Sequence, residues 1–379
     1  MELRVKYVLC LLLFAGCATT RPNAIDRTIA TKPLDHAIWA ILVEDDDGKV
    51  VYSRNAGTMM IPASNRKLFA AATVVNCLGA DTRLATRLYL DDNDVVLAGD
   101  GDPSLGSARY ERDREFDGVA ELLRARGVAS VRDVIADVSR FDRVRVPGGW
   151  KVGNLTSNYA APVDAIAWNE NAIGDDAVPD PALFAAGALR DALVARGIAV
   201  TGTPRVVTEP HEWRGHIATF ESPFIAHLLT TMLKNSHNLY AEMLFKRAAG
   251  GTYDFSVEQR AVGEMGLFRF VDGSGLAPDD LVTPEAVVNL LRWMNEPSRR
   301  GFWWAVLAQP NGEGTLRRRL VTLEQRMRGK TGTINGVAAL SGIIAMPRGR
   351  YRYFSIIVNH HLADDATKAI DAIVSEIAQ

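Results

Sequence analysis

Three short motifs place hydroxyl, amine and amide side chains at spacings that suit nucleophilic catalysis. They are Ser64-Asn65-Arg66-Lys67, Ser236-His237-Asn238 and Lys330-Thr331-Gly332-Thr333. A serine hydroxyl is a weak nucleophile until a neighbouring base takes its proton. Ser64 and Lys67 lie three residues apart, so on a helix their side chains share one face and can meet. The sequence therefore predicts a covalent mechanism with Ser64 as the nucleophile and Lys67 as its base.

Lys67 can act as a base only in its neutral form. Lowering a lysine pKa from about 10.4 to near 7 requires roughly 4–5 kcal/mol of destabilisation of the charged form. We expect burial and the nearby cation of Lys330 to supply it. Ser236 and Asn238 would face apart on a helix, so we expect a connecting loop from which both reach one cleft. His237 then points away, and we expect no catalytic role for it.

The third motif predicts a strand whose edge binds an extended peptide by strand addition. Gly332 lets the substrate backbone approach closely. Lys330, Thr331 and Thr333 offer donors for a terminal carboxylate. The N–H groups of Ser64 and Thr333 are predicted to form an oxyanion hole, a feature worth about 10²–10³ in rate per donor.

Apolar residues at strand-like and helical spacing predict the strands and helices around these motifs. Strands are predicted at both ends of the chain (37–43, 50–52, 337–345 and 353–358), and helices between and after them (67–78, 224–234, 239–249, 284–294 and 363–377). We expect one antiparallel sheet built from both termini, in a domain of residues 35–80 and 211–379. Residues 81–210 hold shorter patterns rich in Asp, Gly and Pro, and are predicted to form a nested insertion domain. The predicted fold class is therefore α/β (α+β), with an antiparallel sheet flanked by helices.

Composition and charge limit the classes of partner. The chain has 379 residues, 47% of them hydrophobic and 23% charged, with a formal net charge of −2. These proportions are typical of a globular protein, and no basic field favours nucleic acid. His360-His361 has no matching ligand set nearby and the Gly99–Asp102 turn lacks the features of a phosphate or calcium loop. We therefore expect neither a metal nor a cofactor.

The N-terminus is typical of an exported protein. Basic residues precede a short apolar run over 8–15, which predicts a signal peptide. Phe14-Ala15-Gly16-Cys17 is similar to a lipoprotein cleavage box, so residues 1–17 are predicted to be the signal peptide with Cys17 as the lipidated residue. Residues 18–34 form a polar spacer. The alternative is plain cleavage near Ala18. If Cys17 is acylated, Cys77 has no disulfide partner; Cys77 is predicted to lie in the core.

Taken together, the three motifs resemble the signature of penicillin-binding proteins and serine β-lactamases. Over nearly all of the predicted mature chain, the sequence resembles the class C low-molecular-mass penicillin-binding proteins, the D-alanyl-D-alanine carboxypeptidase/endopeptidase family. The stretches that carry this resemblance are Ile61–Ser64, Gly99–Pro103, Tyr159–Pro162, Trp168–Asn171, Asn238–Glu242, Asp272–Leu276, Gly314–Leu316 and Lys330–Thr333.

The resemblance implies a transpeptidase-like domain with an insertion after the Ser-x-x-Lys helix. It also implies hydrolysis of D-alanyl-D-alanine bonds in peptidoglycan peptides through an acyl-enzyme, and covalent inhibition by β-lactam antibiotics. By the same analogy, Ser236 and Lys330 pass a proton to the leaving D-alanine. Exported enzymes of this kind act in the periplasm or cell envelope. One departure is that Ala277-Pro278 stands where the family has Ser-Arg, so an expected cation near the substrate is missing.

Two alternatives remain open at this point. Each motif alone has low specificity, because Ser-x-x-Lys arises about once by chance in such a chain and Ser53-Arg54-Asn55 repeats the middle pattern. The chain could be a catalytically silent lipoprotein that binds peptidoglycan. It could also be a β-lactamase or esterase of the same fold, which would turn over penicillin rapidly. Sequence does not separate carboxypeptidase from endopeptidase activity.

Overall fold

The computed structural model describes residues 23–362 and 365–379. The predicted signal peptide and Cys17 lie outside the described residues. In chain order, the described strands are β1 (Ile38–Asp45), β2 (Val50–Arg54), β3 (Ala85–Asp91), β4 (Asp94–Ala98), β5 (Ser130–Val131), β6 (Val134–Asp137), β7 (Ala172–Ile173), β8 (Asp176–Ala177), β9 (Ala199–Val200), β10 (Pro204–Val207), β11 (His216–Glu221), β12 (Phe268–Arg269), β13 (Leu281–Val282), β14 (Met327–Ile334), β15 (Val337–Met346) and β16 (Arg350–Asn359).

The same residues contain α-helices that cover the sheets. In chain order these are α1 (Ala24–Ile29), α2 (Lys67–Leu78), α3 (Val119–Arg124), α4 (Pro181–Ala195), α5 (Ile225–Lys234), α6 (Asn238–Ala248), α7 (Ser256–Val262), α8 (Pro284–Met294), α9 (Pro297–Val306) and α10 (Ala366–Ile377). No helix in the described ranges combines the length and the apolar composition that crossing a membrane requires.

The main sheet joins the two ends of the chain, as the sequence predicts. Its strand order is β14-β15-β16-β1-β2, and each neighbouring pair is antiparallel. Side chains alternate between its two faces, so Ala339 and Ile343 enter one core while Leu340 and Ile344 enter another. Helices α1 and α10 pack on the second of these faces, and α2, α5, α6, α8 and α9 pack on the first.

Helix α2 is the central helix of the first core. Its side chains are buried from Lys67 through Val74, as expected for a helix surrounded by protein. Gly79 follows with φ +86° and ends the helix. The prediction that Cys77 lies in the core is wrong, because Val75 and Leu78 of the last turn pack against the core while the thiol of Cys77 is on the exposed side.

A second sheet has the order β10-β6-β4-β3-β11, and all of its strands except β11 lie within the predicted insertion. Strand β6 runs parallel to β4 and β10, whereas β3 runs antiparallel to β4 and β11. We call residues 85–221, from β3 to β11, the insertion region. Its last strand lies after position 210, where the sequence analysis placed the end of the insertion domain.

Helix α6 belongs to both cores. Tyr240 and Leu244 pack into the core of the main sheet, whereas Leu239 and Met243 pack into the core of the insertion region. The helix begins at Asn238, the last residue of the second motif. A shift of the insertion region that moves α6 would therefore also move the residues of the second motif.

Candidate active site

The nucleophile turn, Ala63–Arg66, is a 3₁₀ turn that leads into α2. The sequence analysis places Ser64 and Lys67 on one face of a helix; in the structure Ser64 lies in this 3₁₀ turn and Lys67 is the first residue of the α-helix. Ala63 adopts a left-handed φ of +46°, which a non-glycine residue rarely does. The loop around Gly275 packs so closely here that an added Cβ at Gly275 would lie 2.0 Å from Ala63 O. Only glycine permits that approach.

Lys67 lies at the centre of the site and is fully buried. Its Nζ donates to Ser64 Oγ at 3.0 Å, to Asn238 Oδ1 at 2.7 Å and to the backbone oxygen of Ser274 at 2.7 Å. The structure therefore brings together the first and second motifs. The Ser64–Lys67 pair keeps the geometry of a nucleophile and its base.

Burial lowers the pKa of Lys67 to about 7. The carboxylates of Asp272 and Glu242 oppose this effect, and the cation of Arg66 adds to it. The sequence analysis assigned the assisting cation to Lys330, whose own pKa is held well below its usual value by burial and by Lys67. An amine with a pKa near neutrality is suited to proton transfer.

Lys330 is fully buried on β14 and faces the loop between α5 and α6. Its Nζ donates to Ser236 Oγ at 2.8 Å and to the backbone oxygen of Thr331 at 2.7 Å. Ser236 has a φ of +62°. Both motif side chains of this loop reach one cleft, because Ser236 contacts Lys330 while Asn238 contacts Lys67.

Strand β14 lies at one edge of the main sheet. Thr331 Oγ1 donates to Thr315 Oγ1 at 2.7 Å, and Thr333 is exposed at the strand surface. An added Cβ at Gly332 would lie 2.7 Å from Pro62 O. The sequence analysis predicts that Gly332 leaves room for the substrate backbone. In the structure Gly332 also leaves room for the protein's own backbone at Pro62, next to the turn that carries Ser64.

The loop that presents Ser274 is shaped by Asp272, a residue outside the sequence-predicted site. The buried Asp272 carboxylate accepts hydrogen bonds from the backbone N–H groups of Ser274, Gly275 and Ala277 at 3.0, 2.6 and 2.8 Å. Ala277, one of the two residues that replace the expected Ser-Arg, is buried and packs in a small apolar cluster with Trp150. The resemblance to a family motif over Asp272–Leu276 was the available signal for this loop.

The insertion region also reaches the cleft. Asn238 Nδ2 donates to the backbone oxygen of Tyr159 at 2.8 Å. The side chain of His237 contacts the insertion region, since its Nε2 lies 3.0 Å from Glu170 Oε2. Tyr159, Glu170, Ser236 and Asn238 line a cavity of about 420 Å³ at the second motif. Sequence reasoning did not assign Tyr159 or Glu170 to the site, although both lie in stretches that carry the family resemblance.

Sequence comparison identifies relatives over most of the chain. The family model described as the D-Ala-D-Ala carboxypeptidase 3 (S13) family matches residues 22–179 and 174–379. The D-alanyl-D-alanine carboxypeptidase of Actinomadura sp. (strain R39) is 27% identical, over 94% of this chain and 84% of its own. The carboxypeptidase DacB of Mycolicibacterium smegmatis is 28% identical, over 88% of this chain and 78% of its own.

Solved structures share the fold at lower identity. Penicillin binding protein 4 (dacB) from Haemophilus influenzae has a TM-score of 0.82 at 18% identity, covering 94% of this chain and 99% of that one. The peptidoglycan endopeptidase Bd3459 from Bdellovibrio bacteriovorus has a TM-score of 0.60 at 15% identity, covering 90% and 92%. These similarities confirm the predicted fold class, with its antiparallel sheet, flanking helices and nested insertion.

Proposed function

The chain belongs to the D-Ala-D-Ala carboxypeptidase 3 (S13) family, and we propose that it hydrolyses the D-alanyl-D-alanine bond of peptidoglycan peptides through an ester on Ser64. It is a serine-type D-Ala-D-Ala carboxypeptidase. The observation that carries the proposed mechanism is the contact of Lys67 Nζ with Ser64 Oγ at 3.0 Å, by an amine whose pKa burial lowers to about 7.

In the acylation step, neutral Lys67 takes the proton of Ser64 Oγ as that oxygen attacks the carbonyl carbon of the scissile bond. The backbone N–H groups of Ser64 and Thr333 stabilise the negative charge that develops on the carbonyl oxygen. Ser236 Oγ gives its proton to the leaving D-alanine nitrogen and is reprotonated by Lys330, with which it shares a hydrogen bond of 2.8 Å. The peptide bond breaks and an ester to Ser64 remains.

Water then attacks the ester carbon in the deacylation step. The proton of the water passes to the Ser236–Lys330 pair, which lost one during acylation. Lys67 returns its proton to Ser64 Oγ, and the shortened peptide leaves as a carboxylate. Thr331 and Thr333 bind the terminal carboxylate of the substrate at the edge of β14, where the peptide lies as an added strand.

Covalent labelling by a fluorescent penicillin tests this mechanism. The wild type should be labelled with a stoichiometry of about one, since an activated serine forms a stable acyl-enzyme, and Ser64→Ala should not be labelled. Ser53→Ala is the matched control, because Ser53 lies in the second copy of the Ser-x-Asn pattern, on β2, and its loss should leave labelling unchanged. An unlabelled wild type, or a labelled Ser64→Ala variant, would contradict the proposal.

Mass analysis of muropeptides after incubation identifies the bond that is cut. Loss of one alanine from monomers is the expected product of a carboxypeptidase. Conversion of cross-linked dimers to monomers would show endopeptidase activity. If neither product forms while penicillin labels the protein, the peptidase assignment fails although the nucleophile assignment stands.

The substrate places the enzyme outside the cytoplasm, and we propose that lipid on Cys17 anchors it to a membrane surface. The support is the short apolar run over 8–15 followed by Cys17, a pattern typical of an exported lipoprotein. Metabolic labelling with a clickable palmitate should modify the wild type and not Cys17→Ala. Incorporation into the Cys17→Ala variant would contradict the anchor site.

A further inference from the structure

The loop that carries Ser236 holds a conformation that it does not favour by itself. Ser236 has a φ of +62°, and a left-handed backbone costs free energy at a residue other than glycine. His237 is the N-cap residue of α6, yet its side chain makes no capping hydrogen bond. Surrounding contacts must therefore fix this loop.

Glu170 in the insertion region makes two of these contacts. Glu170 Oε2 lies 3.0 Å from His237 Nε2, and Oε1 accepts from Tyr240 in the first turn of α6 at 3.0 Å. Ser107 Oγ and Arg109 Nε also donate to Oε1, both at 2.9 Å. Burial disfavours charge on this carboxyl, but the hydrogen bonds from His237 and Arg109 outweigh burial and hold the pKa of Glu170 well below its usual range.

The backbone around Glu170 is itself strained. Asn169, Glu170 and Asn171 have consecutive left-handed φ values of 49°, 55° and 55°. Asparagine tolerates this conformation, but glutamate does so rarely. The two asparagine side chains stabilise the turn, since Asn169 Nδ2 donates to Ala172 O at 2.8 Å and Asn171 Nδ2 donates to Pro162 O at 2.9 Å. The turn thus fixes the position from which Glu170 reaches α6.

We propose that Glu170 and His237 form a latch by which the insertion region holds the Ser236–Asn238 loop in its catalytic position. The proposal rests on the proposed function, since it concerns the groups that move protons in that mechanism. The loop must keep Ser236 Oγ 2.8 Å from Lys330 Nζ and Asn238 Oδ1 2.7 Å from Lys67 Nζ. Displacements of about 1 Å at such contacts slow catalysis by up to about 10²-fold. Glu170 is a positioning residue that acts through His237.

Kinetics per labelled site separate positioning from folding. Fluorescent penicillin at saturation counts the functional sites, and release of D-alanine from a synthetic peptide ending in D-alanyl-D-alanine gives kcat and KM. Glu170→Ala and His237→Ala should each lower kcat per labelled site at least tenfold, with KM within twofold of wild type. Glu170→Gln should recover to within about threefold, because an amide oxygen still accepts from His237. The double alanine variant should be no slower than the singles within twofold, because both changes remove the same contact.

Asp100→Ala is the matched control. Asp100 also pairs the insertion region with α6, since Arg247 Nε donates to Asp100 Oδ1 at 2.9 Å, but it does so in the last turn, away from the loop. Its kcat per labelled site should stay within twofold of wild type. A Tm measured for each variant shows whether the fold is kept. Should Glu170→Ala not fold, His237→Ala carries the test.

Three outcomes would overturn the latch. Glu170→Ala and His237→Ala could both keep the wild-type kcat per labelled site. Both variants could instead have fewer labelled sites but an unchanged kcat per labelled site, which would mean that the two residues contribute only to folding. Asp100→Ala could lose as much kcat as Glu170→Ala, which would mean a general effect of domain contact. Failure of the proposed function is distinguishable, because the wild type itself would then be neither labelled nor active, and the latch would fall with it.

Discussion

Lys67 must be neutral to accept the proton of Ser64, so the acylation rate should follow the titration of this amine. Burial lowers the pKa of Lys67 from 10.5 to about 7, and a change of this size corresponds to about 5 kcal/mol. The neutral fraction should then be about nine tenths at pH 8 and about one tenth at pH 6. At the usual lysine pKa, only about three molecules in ten thousand would carry the neutral amine at pH 7.

The assay is the second-order rate constant for labelling by a fluorescent penicillin between pH 5.5 and pH 9. We expect this rate constant to fall about tenfold from pH 8 to pH 6, with a midpoint near the pKa of Lys67, while circular dichroism shows that the fold is kept. Glu242→Gln should move the midpoint to lower pH, because the negative charge of Glu242 raises the pKa of Lys67. A rate constant that is constant from pH 6 to pH 8, or one that still rises steeply above pH 9, would refute the reasoning.

Three further variants test the packing and charge of the site. An added side chain at Gly332 would meet Pro62 O at 2.7 Å, so Gly332→Val should slow labelling and lower the free energy of unfolding by about 1–3 kcal/mol. Gly118→Ala, where an added Cβ meets nothing within 4 Å, is its control in denaturant unfolding. Burial raises the pKa of Glu258 from 4.5 to about 7. Between these pH values the unfolded chain has lost the proton of Glu258 while the folded chain keeps it, so the free energy of unfolding should fall as pH rises. In Glu258→Gln the decrease in the free energy of unfolding between pH 5 and pH 7.5 should be smaller than in the wild type by up to about 3 kcal/mol. An equal decrease in the variant and the wild type would contradict this cause. Lys330→Ala removes the group that reprotonates the proton donor, so kcat for D-alanine release should fall by about 10²-fold or more, and a kcat within threefold of wild type would exclude that role.

Local patterns were sufficient to place the elements that carry the first motif and support the main sheet. Helices α2 and α8 begin and end at the residues that the apolar patterns predict, Lys67–Leu78 and Pro284–Met294. Signals at their ends are also local: Gly79 ends α2, and the side chain of Thr283 caps α8 by accepting from Ala286 N. The pairing of both chain ends in one sheet followed from strand patterns at each terminus.

Features set by long-range packing could not be predicted in this way. The 3₁₀ turn at Ser64 depends on the left-handed Ala63, and alanine gives no sequence signal for that conformation. The reach of Glu170 to His237 joins residues 67 positions apart in the chain, and no periodicity reports such a contact. The exposure of Cys77 depends on which side of the last turn of α2 the neighbouring elements cover. In each case the conformation or exposure of a residue depends on the position of a second element, which the local sequence around that residue does not determine.

The pairing of β1 with β16 has a consequence for biosynthesis. Ile38 pairs with Asn359, so strands about 320 residues apart must meet before the main sheet can form, and contacts of such high order form late in folding. During synthesis the chain presents its reactive serine early but gains the second amine only when the C-terminal hairpin arrives. A chain that ends before β14 lacks Lys330 and an edge strand of the main sheet, and we expect it to have no peptidase activity.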